Sequence, residues 1–395
     1  MKSQQVNPLL ILILALGVFG IITTEMGIIG VLPQVAQRFG ISAAQAGWLV
    51  SIFALVVAIA GPFLTLLASG INRKITLLAA VLMFAISNIV YAYATTFDMM
   101  LVFRIIPALF HPVFFSVALV TSAKLVPAEK SSQAVAKVFT GVTAGFAFGV
   151  PLTSYLAERL SLEVAFLFGA VVSLIAFVGI WVWLPSMPVR EKMSSGRQLG
   201  ILRKPGLWLN IAAVIFIFSA MFSVYSYFAE YLGQVTRMSG SWISVMLTIF
   251  GVVMIIGNLG FGQFLRKSIV RTVLIFPLLY MAAYTLVYWA GSHFVWMVMV
   301  IIIWAAVHSG GLIVSQIWLT TEAQEAPEFG NSLFVSFSNL GITLGTAIGG
   351  WFIANLGIHQ LIWCGILFAL IAFILIGIKI KFSSRISSIS QTHVQ

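Results

Sequence analysis

Polar residues interrupt this chain at intervals and leave twelve apolar runs, at about 8–31, 43–68, 75–95, 99–121, 134–156, 164–184, 208–232, 242–264, 272–290, 293–317, 332–353 and 359–379. A helix rises about 1.5 Å per residue, so some twenty apolar residues cover the roughly 30 Å hydrocarbon core of a bilayer. The pattern therefore predicts twelve transmembrane helices. Six precede and six follow a stretch rich in Pro, Ser, Gly and charge, residues 185–207, which reads as a linker. The expected division is a six-helix bundle over 1–184 and a second over 208–395 with a short tail. The first run is too long for a signal-peptide core and is expected to be retained.

Within the fifth run, GVTAGFAFGVPLTSY carries Gly141, Gly145 and Gly149, followed by Pro151. Spacing of four puts the three glycines on nearly one helix face. A face without side chains lets another helix approach closely. The pattern returns in the eleventh run, where Gly341, Gly345 and Gly349 lie in NLGITLGTAIGGWF. Two further echoes agree. The second run ends before Arg73-Lys74 and the eighth before Arg266-Lys267, while the fourth and tenth each hold a mid-run histidine, His111 and His308. Two related halves imply transport by rocking of one half against the other around a midplane site.

Composition narrows this to an all-α polytopic membrane protein. Hydrophobic residues make up 61% of the chain and charged residues 8%, against about 25% charged in soluble domains; mean hydropathy is +1.09. The net charge of +11 does not point to nucleic acid, because the basic residues sit in short loops between apolar runs. With the N-terminus in the cytoplasm, 17 of the 21 Lys and Arg fall on the cytoplasmic side, among them Lys2, Arg190, Lys192 and Arg197 of the N-terminus and linker. Arg38, Arg159 and Arg237 fall on the other side, and Arg104 inside a run. That bias predicts cytoplasmic termini. The one cysteine, Cys364, cannot form an intramolecular disulfide. The sequence shows no metal-ligand cluster, nucleophile elbow or phosphate loop, so neither enzyme activity nor a cofactor is expected.

Ionisable side chains are costly inside a bilayer. Glu25 follows Thr23-Thr24 in the first run, and Arg104 lies in the fourth. Counted from the outer ends of their runs, both sit roughly 8–9 Å deep, so the two could pair. His111, seven residues after Arg104, shares its face and lies nearer the midplane. Burial favours a protonated carboxyl and a neighbouring guanidinium an ionised one, which makes Glu25 a candidate proton carrier. The alternative is a static ion pair locking two helices. Glu230, near the outer end of the seventh run, reads as an exposed interfacial residue. His111 and His308 read equally as links between helices or as cavity lining.

Together these features resemble the major facilitator superfamily, and within it the drug:proton antiporter group, in its sugar-efflux and arabinose-efflux-permease-like branch. The resemblance rests on TTEMGIIGVLPQVA (23–36), FRIIPALFHPVFFS (103–116), YSYFAEYL (225–232), WAAVHSGGLIVSQ (304–316) and SNLGITLGTAIGG (338–350). The GVTAGFAFGVP run resembles the antiporter motif of efflux members, which implies a place at the contact between halves. There are departures. Ser69 and Asn72 stand where relatives carry Asp and Gly between the second and third helices, and Arg266 stands at the Asp position of the second half. Only Arg73-Lys74 and Arg266-Lys267 remain of that cytoplasmic latch. Ser161-Leu162-Glu163 replaces a G-W-R opening, and Thr153-Ser154 follows Leu152 where relatives have glycine.

The resemblance implies that the first, fourth, seventh and tenth helices line a central cavity. Glu25 and Arg104 are then the proton-coupling candidates. His111, Phe114, Phe115, Tyr225, Tyr227, Trp304, His308 and Gln316 become the candidate lining, with Asn339 of the eleventh helix behind them. Adjacent positions point about 100° apart, so one of Phe114 and Phe115 is expected to pack between helices. The aromatic stock suits a flat or amphipathic neutral solute. The expected activity is proton-coupled efflux of a small organic solute, such as a sugar or drug, by a monomer in the cytoplasmic membrane, with the proton gradient as its only energy source. The alternatives are a proton-independent facilitator and a nucleoside or purine exporter of the same fold.

Overall fold

The computed structural model describes residues 8–68, 70–127, 130–188, 200–325 and 327–392. Ser69, Lys2, Arg190, Lys192, Arg197 and the linker segment 189–199 lie outside the described residues. The spanning elements are α1 (Pro8–Gly27, a short tight turn Ile28–Val31, then Leu32–Phe39), α2 (Ala43–Ala46 and Trp48–Ala68), α3 (Arg73–Tyr93), α4 (Phe97–Lys124), α5 (Ser131–Ala144, a wide turn Gly145–Gly149, then Val150–Arg159) and α6 (Leu162–Trp183). The second half holds α7 (Pro205–Tyr225 and Phe228–Gln234), α8 (Gly240–Lys267), α9 (Ile269–Ala290), α10 (Phe294–Thr320), α11 (Pro327–Leu356) and α12 (Leu361–Thr392). Eleven of these are long and apolar enough to cross a membrane; α5 is divided in three by its wide turn. The expected twelve-helix, all-α architecture is observed. Several helices run past their apolar stretches, and α12 continues well beyond residue 379.

Local chemistry fixes the ends. Ser42 and Gln45 form a reciprocal capping box at the start of α2. The side chains of Asn72, Thr96, Ser161 and Ser268 accept backbone N–H groups at the starts of α3, α4, α6 and α9. Gly40 ends α1 at φ 64, a left-handed position that a side chain would strain. Pro107 in α4 has no N–H to offer the carbonyl of Phe103, and the Tyr91 hydroxyl of α3 donates to that carbonyl at 2.8 Å. Large apolar side chains such as Phe63, Leu67, Trp289 and Trp296 are exposed on the outer surface, where lipid replaces water as solvent.

The glycine faces show how the halves repeat. A Cβ on Gly141, Gly145 or Gly149 would strike Ala15, Ile22 or Thr23 of α1. One on Gly341, Gly345 or Gly349 would strike the backbone oxygen of Ile215, Ser219 or Ser223 of α7. So α5 lies against α1 and α11 against α7, in the same register. The glycines therefore close helix pairs within each half. The other half reaches α5 at the wide turn, where a Cβ on Gly251 of α8 would meet the Phe146 carbonyl at 2.7 Å as well as the Ala147 backbone. Pro151 is buried just beyond that turn.

On the face opposite the termini, the two halves meet closely. Ser154 of α5 lies 3.0 Å from Ser244 of α8, hydroxyl to hydroxyl. The Thr343 hydroxyl of α11 donates to the carbonyl of Ser51 of α2 at 3.3 Å. Tyr227 donates to the carbonyl of Thr346 at 2.9 Å, and its hydroxyl fills the space over both Gly47 and Gly350.

Candidate transport site

In the first half, α1, α2 and α4 bury a charged cluster. Glu25 and Arg104 are 5% and 1% exposed, yet the carboxylate and the guanidinium are not each other's partners. Arg104 donates from Nε to the carbonyl of Leu49 at 2.9 Å, from Nη1 to that of Thr24 at 2.7 Å, and from Nη2 to the backbone carbonyl of Glu25. Thr24 and Glu25 stand in the last turn of the first segment of α1, where carbonyls lose their intrahelical donors and the helix dipole favours a cation. The guanidinium also lies 4.6 Å from the centre of the Phe53 ring, a cation–π distance.

That leaves the Glu25 carboxylate for His111: Oε2 lies 3.0 Å from Nε2. The approach is close but not aligned, and neither ring nitrogen of His111 has a hydrogen-bond partner. Phe115 covers one side of the imidazole with centroids 4.7 Å apart, and Phe53 meets it edge-on at 5.8 Å. The expected Glu25–Arg104 pair is thus replaced by Glu25–His111, because backbone carbonyls use up the fork of the arginine. Asn88 of α3 supports the arrangement, donating to the Thr24 hydroxyl at 2.8 Å.

In the second half, His308 sits in an aromatic box. Its ring lies 4.7 Å from Tyr225, 5.3 Å from Phe250 and 5.8 Å from Phe222. Trp304 packs on Phe228 and Phe250. Tyr280 of α9 touches Nδ1 of His308 at 2.8 Å. Corresponding helices repeat at offsets of 197 to 200 residues. The glycine contacts of α5 with α1 and of α11 with α7 repeat at 200, which carries Glu25 to Tyr225. The edge-on phenylalanine–histidine pairs repeat at 197, which carries Phe53 to Phe250, Arg104 to Ile301 and His111 to His308. Both histidines meet the equivalent phenylalanine edge-on. Where the first half carries Glu25 and Arg104, the second carries Tyr225 and Ile301 and no charge at either place.

Not every expected residue joins these clusters. Phe114 is fully buried against Gly17 of α1, so it packs between helices while its neighbour Phe115 faces His111. Tyr227 belongs to the contact between halves described above. Gln316 lies eight residues beyond His308 and donates to the Asn331 side chain at 3.4 Å, away from the box. Asn339 donates to the carbonyl of Val335 within its own helix and keeps a buried, unpartnered Oδ1. Glu230 is buried and hydrogen-bonded by Gln234, not exposed, because the second segment of α7 turns it inward.

At the terminus-side ends, Lys74 donates to the carbonyl of Trp181 at 2.7 Å, capping the end of α6. Asn72 binds Ser186 at 2.7 Å, and the Arg73 N–H donates to the carbonyl of Met187. Arg266 and Lys267 are exposed at the end of α8. The polar network on this side of the second half is another set: Lys379–Glu322 at 2.7 Å and Lys204–Glu325 at 3.0 Å. In the sequence these lysines stand only as topology signals, and Tyr280, Asn88 and Glu322 are not marked out. Polar residues at helical spacing in apolar runs are the signal that could have found the first two.

Two related six-helix bundles, joined tightly on one face and holding titratable and aromatic groups between their helices, define a multi-pass membrane carrier. The chain belongs to the Major Facilitator Superfamily, whose family model matches residues 14–328. It is 30% identical to the inner membrane transport protein YdhP of Escherichia coli (strain K12), over 93% of this chain and 94% of that one. It is 27% identical to the "Probable sugar efflux transporter" of Helicobacter pylori (strain G27), over 94% and 95%. A crystal structure of a D-xylose-proton symporter superposes with a TM-score of 0.76 at 14% identity, over 94% and 97%, which shows the shared fold.

Proposed function

We propose that the protein exports a small neutral organic solute, of the size and polarity of a sugar, across the cytoplasmic membrane in exchange for protons, as a monomer with both termini inside. The Glu25–His111 contact at 3.0 Å carries this reading. A carboxylate locked to arginine is a static pair. One facing imidazole has a partner that can itself hold or release a proton, so proton occupancy and helix contact are linked. The aromatic box around His308 supports a neutral solute, since sugar and planar rings alike pack their apolar faces on aromatic side chains. The H. pylori relative's printed name supports the sugar class.

In the cycle, Glu25 takes a proton from the outer side, the solute leaves outward, the halves rock, and the proton departs inward as new solute binds. The test uses everted membrane vesicles with an acidic lumen, a pH-sensitive dye, and a panel of a pentose, a purine nucleoside, chloramphenicol and a lipophilic cation. Solute-evoked proton release that disappears in Glu25→Gln is the expected result. Solute flux that ignores the pH gradient would make the protein a facilitator.

A further inference from the structure

The box around His308 contains a hydrogen inventory that fixes the state of the ring. The indole nitrogen of Trp304 can only donate, and it does so to the Tyr280 oxygen at 3.3 Å. The single hydroxyl hydrogen of Tyr284 is taken by the carbonyl of Ala220 at 2.7 Å, with that of Met221 at 3.2 Å and the Tyr280 oxygen further away at 3.4 Å. The hydroxyl hydrogen of Tyr280 is left with its nearest acceptor, Nδ1 of His308, at 2.8 Å. If Nδ1 accepts, the neutral ring carries its proton on Nε2. That nitrogen is buried and has no partner. A buried N–H without an acceptor is destabilising, so a satisfied state belongs elsewhere in the working cycle.

Two neighbours of the ring show how that state arises. Tyr225 touches Phe146 of the first half at 6.5 Å between centroids. Phe250 precedes Gly251, which packs on Ala147. The box is therefore walled partly by the contact between halves, and parting the halves uncovers it.

We propose that Tyr280 of α9 is a positioning residue that holds His308 as the Nε2–H tautomer, so that the ring donates a hydrogen bond to an acceptor oxygen of the transported solute. The inference deepens the function proposed above and rests on it for the solute. The ligand class it specifies is a neutral ring compound with a hydroxyl or carbonyl acceptor at the edge of an apolar face. Tyr280 itself need not touch the solute. Among the described residues no charged side chain occupies the box, so an ionic solute finds no counter-charge there.

Two measurements test this. The first needs no solute: a nitrogen-15 spectrum of histidine-labelled protein in detergent, with the His308 signals assigned by their loss in His308→Gln. The wild type should show His308 neutral with its proton on Nε2, and Tyr280→Phe should shift the ring toward the other tautomer. A proton on Nδ1 in the wild type, or an unchanged spectrum in Tyr280→Phe, overturns the proposal. The second follows flux in the everted vesicles with L-arabinose and chloramphenicol as probes. A glutamine amide nitrogen falls near the place of Nε2 and an asparagine one near that of Nδ1. His308→Asn should have a half-saturating concentration about tenfold above that of His308→Gln, the weight of one hydrogen bond, and Tyr280→Phe should raise it by a similar factor over wild type with the maximal rate retained. The reverse order of Gln and Asn overturns it. If neither probe evokes flux in the wild type, the function proposed for these probes fails while the spectrum still decides the tautomer. If Tyr280→Phe does not fold, the wild-type spectrum and the Gln–Asn pair decide alone.

Discussion

The Tyr227 hydroxyl of the second half occupies the space that a side chain at position 47 of the first half would need. The same hydroxyl bonds the carbonyl of Thr346 at 2.9 Å and lies over Gly350, so three helices converge on one phenol. Packing this dense has no slack for a branched side chain. Gly47→Val should part the halves on the face opposite the termini. Spin labels on that face, one per half, should report a longer distance in the variant. An unchanged distance would mean that Tyr227 swings aside and the face stays closed.

Ser154 and Ser244 approach to 3.0 Å across the same contact. A disulfide spans β-carbons about 3.5–4.5 Å apart, so cysteines at both positions are within reach of each other. The native Cys364 is buried and leaves the background quiet. Ser154→Cys with Ser244→Cys should cross-link on oxidation, stop transport, and recover on reduction. Cross-linking with full transport would show that these helices stay together throughout the cycle.

Length and hydropathy sufficed for the twelve helices, because a bilayer demands internal backbone satisfaction and admits little else. The glycine spacing announced close helix approach but not which helix approaches, since a bare face is equally open to a neighbour in its own half or in the other. Glu25 and Arg104 stand at one depth in their runs, which brings their helices together, but depth carries no information on rotation. Nor does it show acceptors that belong to the backbone. The carbonyls of Leu49, Thr24 and Glu25 hold Arg104, and a carbonyl leaves no mark in a sequence. The paired His111 and His308 are visible as an echo; that Glu25 corresponds to Tyr225 follows only once the glycine contacts show which helices pair, at an offset of 200.

Arg104 makes a prediction that separates shape from charge. Lysine keeps the charge but concentrates its donors on one nitrogen, and it cannot span three carbonyls on two helices. With two hydrogen bonds to a charged group lost, Arg104→Lys should destabilise the first half by roughly 3 kcal/mol. Thermal unfolding in detergent measures this. A melting temperature equal to wild type would show that charge alone satisfies the end of α1.

Gly145 and Gly345 differ in what a methyl group would meet. At Gly145 the nearest atoms are Cγ2 and Cβ of Ile22, at 2.5 and 2.7 Å; Cγ2 can rotate away, whereas Cβ is fixed to the backbone and needs a local shift of α1. At Gly345 they are the backbone oxygen and Cα of Ser219 and the backbone nitrogen of Ser223, at 2.5, 2.9 and 3.0 Å, which move only if α7 moves. Overpacking costs typically about 1–3 kcal/mol, and a neighbour that yields in part lowers the cost. Gly145→Ala should therefore cost about 2 kcal/mol and Gly345→Ala about 3 kcal/mol, although both replace a glycine at the same place in the repeat. Melting temperatures of the two variants, taken in one detergent, measure the difference. Equal shifts would mean that α7 yields as readily as the Ile22 side chain, and that the bond from the Ser219 hydroxyl to the Gly341 carbonyl at 3.0 Å does not hold α7 and α11 in fixed register.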